Sequence, residues 1–325
     1  MEQNVSRRGF IGAAIGTGAA AAAIGTPAFA HRGGHGHHGH GGRGGSVPRD
    51  RRGIQLYTMR EKMTNQDEAR AVLRFLGKVG YTEVETAGHY EWTPEEFKNE
   101  LRRAGLRAVS GHDGPGFPVA AGWETGYRET LAYAKELGQK FTGFAWFGST
   151  PEFPYTSENT WHELAKVLNT AGKIARNEYG LTFFYHNHDF EFLNRFGGRY
   201  AYDILQAETD RKYVKFELDL FWITEGGANG VEYLSEHPDW YVAYHVKDHV
   251  WGDRRKADGS DEADFEDVGP GMLDFPDLFD AGDGRGLDKH YFIEHDAPWL
   301  SHPNDPDAEF KTAKAGIEYL QTVRW

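Results

Sequence analysis

Four side chains able to grip a divalent cation stand at the ends of four short apolar runs. They are His186 in FFYHNH (183–188), Asp219 in FELDLFW (216–222), His245 in YVAYHVKD (241–248) and Glu294 in HYFIEHD (290–296). A β-strand turns successive side chains to opposite faces, so one face can pack while the other presents a ligand. Imidazole and carboxylate brought to one point describe a site for a single divalent ion such as Mn2+, Mg2+, Co2+ or Zn2+.

The neighbours of these four widen the inventory. In FELDLFW, Glu217 and Asp219 share one face, with Leu218 and Leu220 on the other. An acid among such large apolar residues is costly to bury unpaired, which favours a ligand over a carboxylate that merely caps a loop. His245, Lys247 and His249 fall on one side of their run; Lys247 reads either as a binder of a substrate oxygen or as a solvated loop lysine. His186 and His188 also share a face, but roughly 7 Å of strand separates them, too far for both to reach one ion easily. We assign His186 to the metal and His188 to the substrate or to proton transfer. Glu85 and His112, at the ends of two earlier runs, are candidates for the substrate side of the pocket. Glu294, His188 and His112 are the candidate bases. Tyr57 and Trp222, with Trp146 and Phe221, either wall the site or belong to the core.

The elements that must position these groups alternate strand and helix about eight times. Strand-like runs cover 53–57, 82–86, 106–110 and 141–147, and the four ligand-bearing runs follow. Helices are expected over 68–79, from Thr93-Pro94 onward, over 124–137, over 161–179 with Gly180 as the stop, and over 306–323. This rhythm is that of repeated βα units, and in a parallel barrel the strand ends converge on one mouth. The fold expected is therefore α/β, a single (β/α)8 TIM barrel over 53–325. An open doubly wound sheet would want a glycine-rich phosphate loop after its first strand, and Tyr57-Thr58-Met59-Arg60 is not one.

Two segments precede that barrel. Residues 1–30 carry Ser6-Arg7-Arg8-Gly9-Phe10-Ile11, a weakly apolar Ala/Gly-rich stretch and Ala28-Phe29-Ala30, the pattern of a cleavable twin-arginine signal peptide. The apolar stretch is too short and glycine-rich to anchor the chain in a bilayer. Residues 31–52, with five of the sixteen histidines in HRGGHGHHGHGGRGG, are expected to be a disordered leader. Export to the periplasm or beyond follows as an expectation. The net charge is −13, and removing the +5 of residues 1–52 leaves −18 on the remainder, which disfavours a nucleic-acid partner. There are no cysteines, so disulfides, thiol nucleophiles and cysteine-ligated zinc are excluded. The partner expected is a small carbohydrate or polyol substrate, with a homo-oligomer left open.

Several motifs in this order resemble the xylose-isomerase-like barrel superfamily, in its sugar phosphate isomerase/epimerase branch. They are GIQLYTMRE, GYTEVE, YHNHDFEF, FELDLFW, HVKDH, VGPGMLDF and FIEHD, spread from Gly53 to the C-terminus. The resemblance implies one divalent metal held by Glu, Asp, His and Glu. Asp219, His245 and Glu294 match three of these, and His186 stands where the first glutamate would be. The HNHD form is similar to branch members that resemble inosose dehydratases and lyases of 3-keto-glycosides. The activity implied is metal-assisted proton removal beside a carbonyl, giving an enediolate that is reprotonated (isomerisation or epimerisation) or expels a leaving group (lyase or dehydratase). Phosphodiester hydrolysis and non-catalytic sugar binding are the competing readings.

Overall fold

A computed structural model describes residues 44–250, 265–283 and 288–325. Eight parallel strands form its main sheet: β1 (Arg52–Gln55), β2 (Glu83–Thr86), β3 (Arg107–Gly111), β4 (Phe141–Phe144), β5 (Thr182–His186), β6 (Val214–Asp219), β7 (Tyr241–Val246) and β8 (His290–Ile293). Their order, β3-β2-β1-β8-β7-β6-β5-β4, sets every strand beside its sequence neighbours. The β3/β4 seam is stitched by Lys140 N donating to Val109 O at 2.8 Å and Gly114 N donating to Gly143 O at 2.7 Å. The result is the expected (β/α)8 barrel.

The helices begin and end where local chemistry dictates. Helix α1 (Gln66–Val79) is capped by the Asn65 side chain, which accepts from Asp67 N and Glu68 N, and ends at Gly80 with φ 118°. Helix α2 (Pro94–Arg103) opens on a reciprocal Thr93/Glu96 capping box with proline in its first turn. Helices α3 (Trp123–Leu137) and α4 (Glu158–Ile174) follow, and α4 runs on through a wider turn to stop at Gly180, as expected. Helices α5 (Ala201–Glu208), α6 (Gly230–Glu236), α7 (Phe275–Asp283) and α8 (Ala308–Thr322) complete the ring.

Three expectations are corrected. The leader does not extend to residue 52: Gly45 N donates to Trp325 O at 2.8 Å, Trp325 N returns a bond to Gly45 O at 3.3 Å, and Val47 is buried. Apolar Val47 and the pairing of Gly45 with Trp325 anchor this segment, whereas residues 1–43, on which the expected signal and most of the histidine-rich tract fall, lie outside the described residues. Strand one stops at Gln55, because the Gln55 side chain accepts from Tyr57 N and starts a tight helical turn over Leu56–Lys62. Strand six stops at Asp219 rather than at 222, and its carboxylate explains why. Asp219 Oδ1 accepts from Phe221 N at 2.9 Å and Trp222 N at 2.8 Å, capping a short helix, Leu220–Glu225.

The barrel interior is layered. At the floor, His290 bonds Glu83 at 2.6 Å and Arg51 at 2.7 Å. Above lies an apolar tier in which Phe184 and Phe292 fill the axis. A Cβ at Gly143 would stand 2.1 Å from the Phe184 ring, and one at Gly53 would stand 2.3 Å from Phe292, so each large ring faces a glycine on the neighbouring strand. The next tier is polar and carries the site.

Candidate metal and proton-transfer site

The strand ends place every sequence-derived candidate at or near one end of the barrel, at two depths. The shallower group comes from residues at or just beyond the ends of β6, β7 and β8. Lys247 Nζ lies 3.2 Å from Asp219 Oδ2, 2.7 Å from Glu294 Oε2 and 3.0 Å from Asp296 Oδ2. His245 Nδ1 is 2.8 Å from Glu294 Oε2 and 3.8 Å from Asp219 Oδ2, and His186 Nε2 is 4.0 Å from Asp219 Oδ2. The solvated-loop reading of Lys247 is thereby replaced: it is buried among three carboxylates.

The deeper group is built one inward step down β6, on Glu217. Its Oε2 is 3.1 Å from His112 Nε2, 3.2 Å from His186 Nδ1 and 3.1 Å from His245 Nε2. Glu85 Oε1 is 3.0 Å from His112 Nε2 and 2.7 Å from His245 Nε2. Both Glu85 oxygens are engaged, Oε1 also by Gln55 Nε2 at 2.7 Å and Oε2 by Ser110 Oγ at 2.6 Å. Glu85 and His112 therefore sit beside the Glu217 and His245 side chains at the deeper level. Both side chains point into the barrel axis, where Glu217 of β6 and His245 of β7 draw them.

Two overlapping sets of donors among the described residues bring their ligand atoms within 4.8 Å of one another. One is His186, Asp219, His245 and Glu294; the other is His112, His186, Glu217 and His245. The first is the quartet read from the sequence. Glu217 is the residue that reading left out of the site, although its shared face with Asp219 was the signal that could have found it. Ser110 and Gln55 carry no such signal, since each is an ordinary polar residue within a strand.

The electrostatics follow from burial and pairing. Burial alone would lower the His112 imidazole, but Glu85 and Glu217 beside it raise it to about 10. Burial would likewise lower Lys247, yet Asp219, Asp296 and Glu294 push it well above its usual value. Burial raises Asp219 to about 6, with Lys247 opposing. Glu294 is held far below the usual carboxylate range despite burial, by Lys247 and His245. His188 differs: burial, reinforced by Lys247, lowers it to about 3, so it is a neutral imidazole. Its Nδ1 is buried without a partner, and the ring stacks on Phe190 at 5.5 Å, itself stacked on Tyr155 at 4.2 Å. Trp222 stands 5.6 Å from His188 with its ring nitrogen unpartnered, and Tyr57 is an exposed ring under the Arg60 guanidinium. Phe221 is fully buried, while Trp146 is exposed.

A family model described as the xylose isomerase-like TIM barrel matches residues 73–323. The chain belongs to this family. Solved structures agree on the xylose isomerase-like fold. A sugar phosphate isomerase/epimerase from Parabacteroides distasonis is 25% identical, with a TM-score of 0.65 over 84% of this chain and 98% of that one. The IolI protein with a bound zinc atom is 16% identical (TM-score 0.63, 84% and 98%). The probable 3-DHS dehydratase AsbF from Bacillus anthracis is 15% identical (TM-score 0.60, 83% and 98%). No curated protein sequence matches the chain. The match begins only at residue 73, yet β1 lies within the sheet, so the xylose isomerase-like barrel starts well upstream of it.

Proposed function

We propose that this protein is a divalent-metal-dependent isomerase or epimerase of a keto-sugar or related polyol, working through an enediolate. The observation that carries the reading is the convergence of His186 and His245 with buried carboxylates at the strand ends. Such a donor set suits a divalent cation, and the buried Glu217 Oε1, which has no partner, shows that protein hydrogen bonds alone do not satisfy the cluster. A bound cation would act as a Lewis acid toward a carbonyl and its neighbouring hydroxyl.

The residues do the rest. The candidate bases beside the carbonyl are His188 and Glu294, and the His188 ring is held in place by Phe190 and Trp222. Lys247 holds Glu294 ionised and aligned, and Glu294 returns or relays a proton at the other end of the cluster. Trp222 and Tyr57 flank the approach.

Elimination is the second reading, favoured by one departure. A symmetric exchange of protons needs comparable bases on two flanks, and His186 replaces one carboxylate with imidazole. A lyase or dehydratase acting on a keto-cyclitol or 3-keto-glycoside uses the same first step. The twin-arginine pattern supports an exported enzyme, hence an unphosphorylated substrate.

The shared step is tested by incubating metal-loaded protein with 3-keto-glycosides and keto-sugars in D2O. Deuterium at the carbon beside the carbonyl is expected, with an epimer, an isomer or an unsaturated product identifying the branch. No solvent exchange with any such substrate would sink both readings.

A further inference from the structure

We infer that the mouth of the barrel carries a second subsite, a platform of Tyr57 and Trp299 held by Arg60, and that it takes the second ring, sugar or aryl, of a glycoside whose keto-bearing ring lies at the strand-end carboxylates. This rests on the proposed action on a keto-sugar and specifies the size of the substrate.

Five large apolar side chains are exposed among the described residues: Tyr57, Trp146, Leu193, Met272 and Trp299. They follow β1, β4, β5, β7 and β8 in turn, on connections at the mouth, and none lies on helices α1 to α8. Tyr57 and Trp299, 45% and 46% exposed, come from the first and last of these connections and meet at Arg60. Its guanidinium carbon is 4.1 Å from the centre of the Tyr57 ring and 5.4 Å from that of Trp299. Arg60 Nη1 donates to Tyr57 O at 3.0 Å and Nη2 donates to Asp296 O at 2.6 Å. The two connections are thereby tied, and the rings are set in place before a ligand arrives. The platform also adjoins the site: Asp296 Oδ2 lies 3.0 Å from Lys247 Nζ, which is 2.7 Å from Glu294 Oε2.

The chemistry of the platform selects among occupants. A half-exposed tyrosine and a half-exposed tryptophan together offer on the order of 200 Å2 of apolar surface, enough for one ring. A stable dimer buries about 800 Å2 on each partner, several times more. A phosphate is disfavoured as well. Both terminal nitrogens of Arg60 bond backbone carbonyls and its Nε lies 3.7 Å from Glu61 Oε1, so the fork that a phosphate takes is already engaged. Asp296, Asp219 and Glu294 add negative charge to the approach. A neutral ring remains, and the C–H face of a pyranose or the ring of an aryl group packs on aromatic side chains. The platform stands beyond Asp296 and Lys247, not against Glu294. A single sugar at the carboxylates leaves it bare, and a glycosidically linked second ring covers it. An epimerase keeps that ring and a lyase expels it, so the platform serves either branch.

The test is calorimetric titration of the metal-free full chain with methyl glucoside, phenyl glucoside and cellobiose, each in its 3-keto form. The phenyl compound or the disaccharide, or both, are expected to bind about tenfold more tightly than the methyl compound, and which of them does so tells an aryl ring from a sugar. Trp299→Ala and Tyr57→Ala are each expected to bring that ratio towards one. Trp299→Phe and Tyr57→Phe are expected to restore it, because the ring alone is used. Equal or undetectable affinity for all three in the wild type would overturn the platform. So would a preference that survives in the Trp299→Ala, Tyr57→Ala double variant. A wild-type dimer in sedimentation that this double variant dissociates, with no ring preference, would assign the rings to a second copy instead. Protein loaded with Co2+ and dialysed, its cobalt per chain measured, is assayed separately for solvent deuterium exchange. A ring preference without exchange keeps the subsite and removes the enediolate reading; exchange without a ring preference does the reverse.

Discussion

Asp219 does two jobs with two oxygens, and substitutions separate them. Oδ1 caps the helix Leu220–Glu225, and Oδ2 faces Lys247 and the two imidazoles. Asparagine retains a capping oxygen but not the charge, so Asp219→Asn is expected to keep the thermal midpoint near that of wild type. Asp219→Ala loses the cap as well and should cost about 1 kcal/mol more in denaturant unfolding. Both should lose turnover; equal stability of the two variants would show that the cap contributes nothing. His188 offers a second prediction, because the role proposed for it is proton transfer. His188→Gln is expected to lower kcat by about 10^2 to 10^4 with cobalt retention unchanged, measured under saturating substrate. Part of this arrangement was legible in single residues: polar side chains ending apolar runs named one of the two donor sets, His186, Asp219, His245 and Glu294. What escaped was depth. A sequence shows that Glu217 and Asp219 share a face, but not that three histidines from three strands reach the lower of the two.

At the scale of elements, the apolar tier beneath the site depends on small residues opposite large ones. Gly143→Ala would drive a methyl group into the Phe184 ring, which stands 6.0 Å from the His112 ring. The expected cost is about 1–3 kcal/mol of stability, together with weaker cobalt retention as the ring is displaced upward. An unchanged melting curve would mean that the tier accommodates the methyl by strand movement. Helix α7 carries a pH-dependent element of its own. Asp283, at its C-terminal end, is raised by burial from 3.8 to about 7, while the Tyr244 and Tyr291 hydroxyls donate to it. The native state thus holds this proton more tightly than the unfolded chain. The stabilisation is complete below about pH 4 and is lost as pH rises through 7. Asp283→Asn should therefore gain in melting temperature over wild type as pH goes from 5 to 8, and a constant difference would contradict the buried-acid account. Periodicity and caps made these elements readable in advance to within a few residues. The missed ends, Gln55 and Asp219, were set by side chains that bond the backbone ahead of them, which an apolar pattern does not encode.

For the whole molecule, export is an expectation on which the barrel itself does not bear. No helix of the described residues is long and apolar enough to cross a membrane. The Arg7-Arg8 pair is therefore the feature to test. Arg7→Lys with Arg8→Lys is expected to hold the protein in the cytoplasm, read by cell fractionation, while leaving the purified chain equally active. Passage of the variant at the wild-type rate would remove the twin-arginine reading. The tiered interior has a further consequence for how an ion comes and goes. Phe184 and Phe292 fill the axis from below, so access to the polar tier is from the strand-end mouth, where Lys247 stands among its three carboxylates. An ion entering or leaving the strand-end mouth would have to disturb this buried ion network, which slows its exchange. If the chain is exported with its ion already bound, such slow exchange would carry the ion through a metal-poor or chelating exterior.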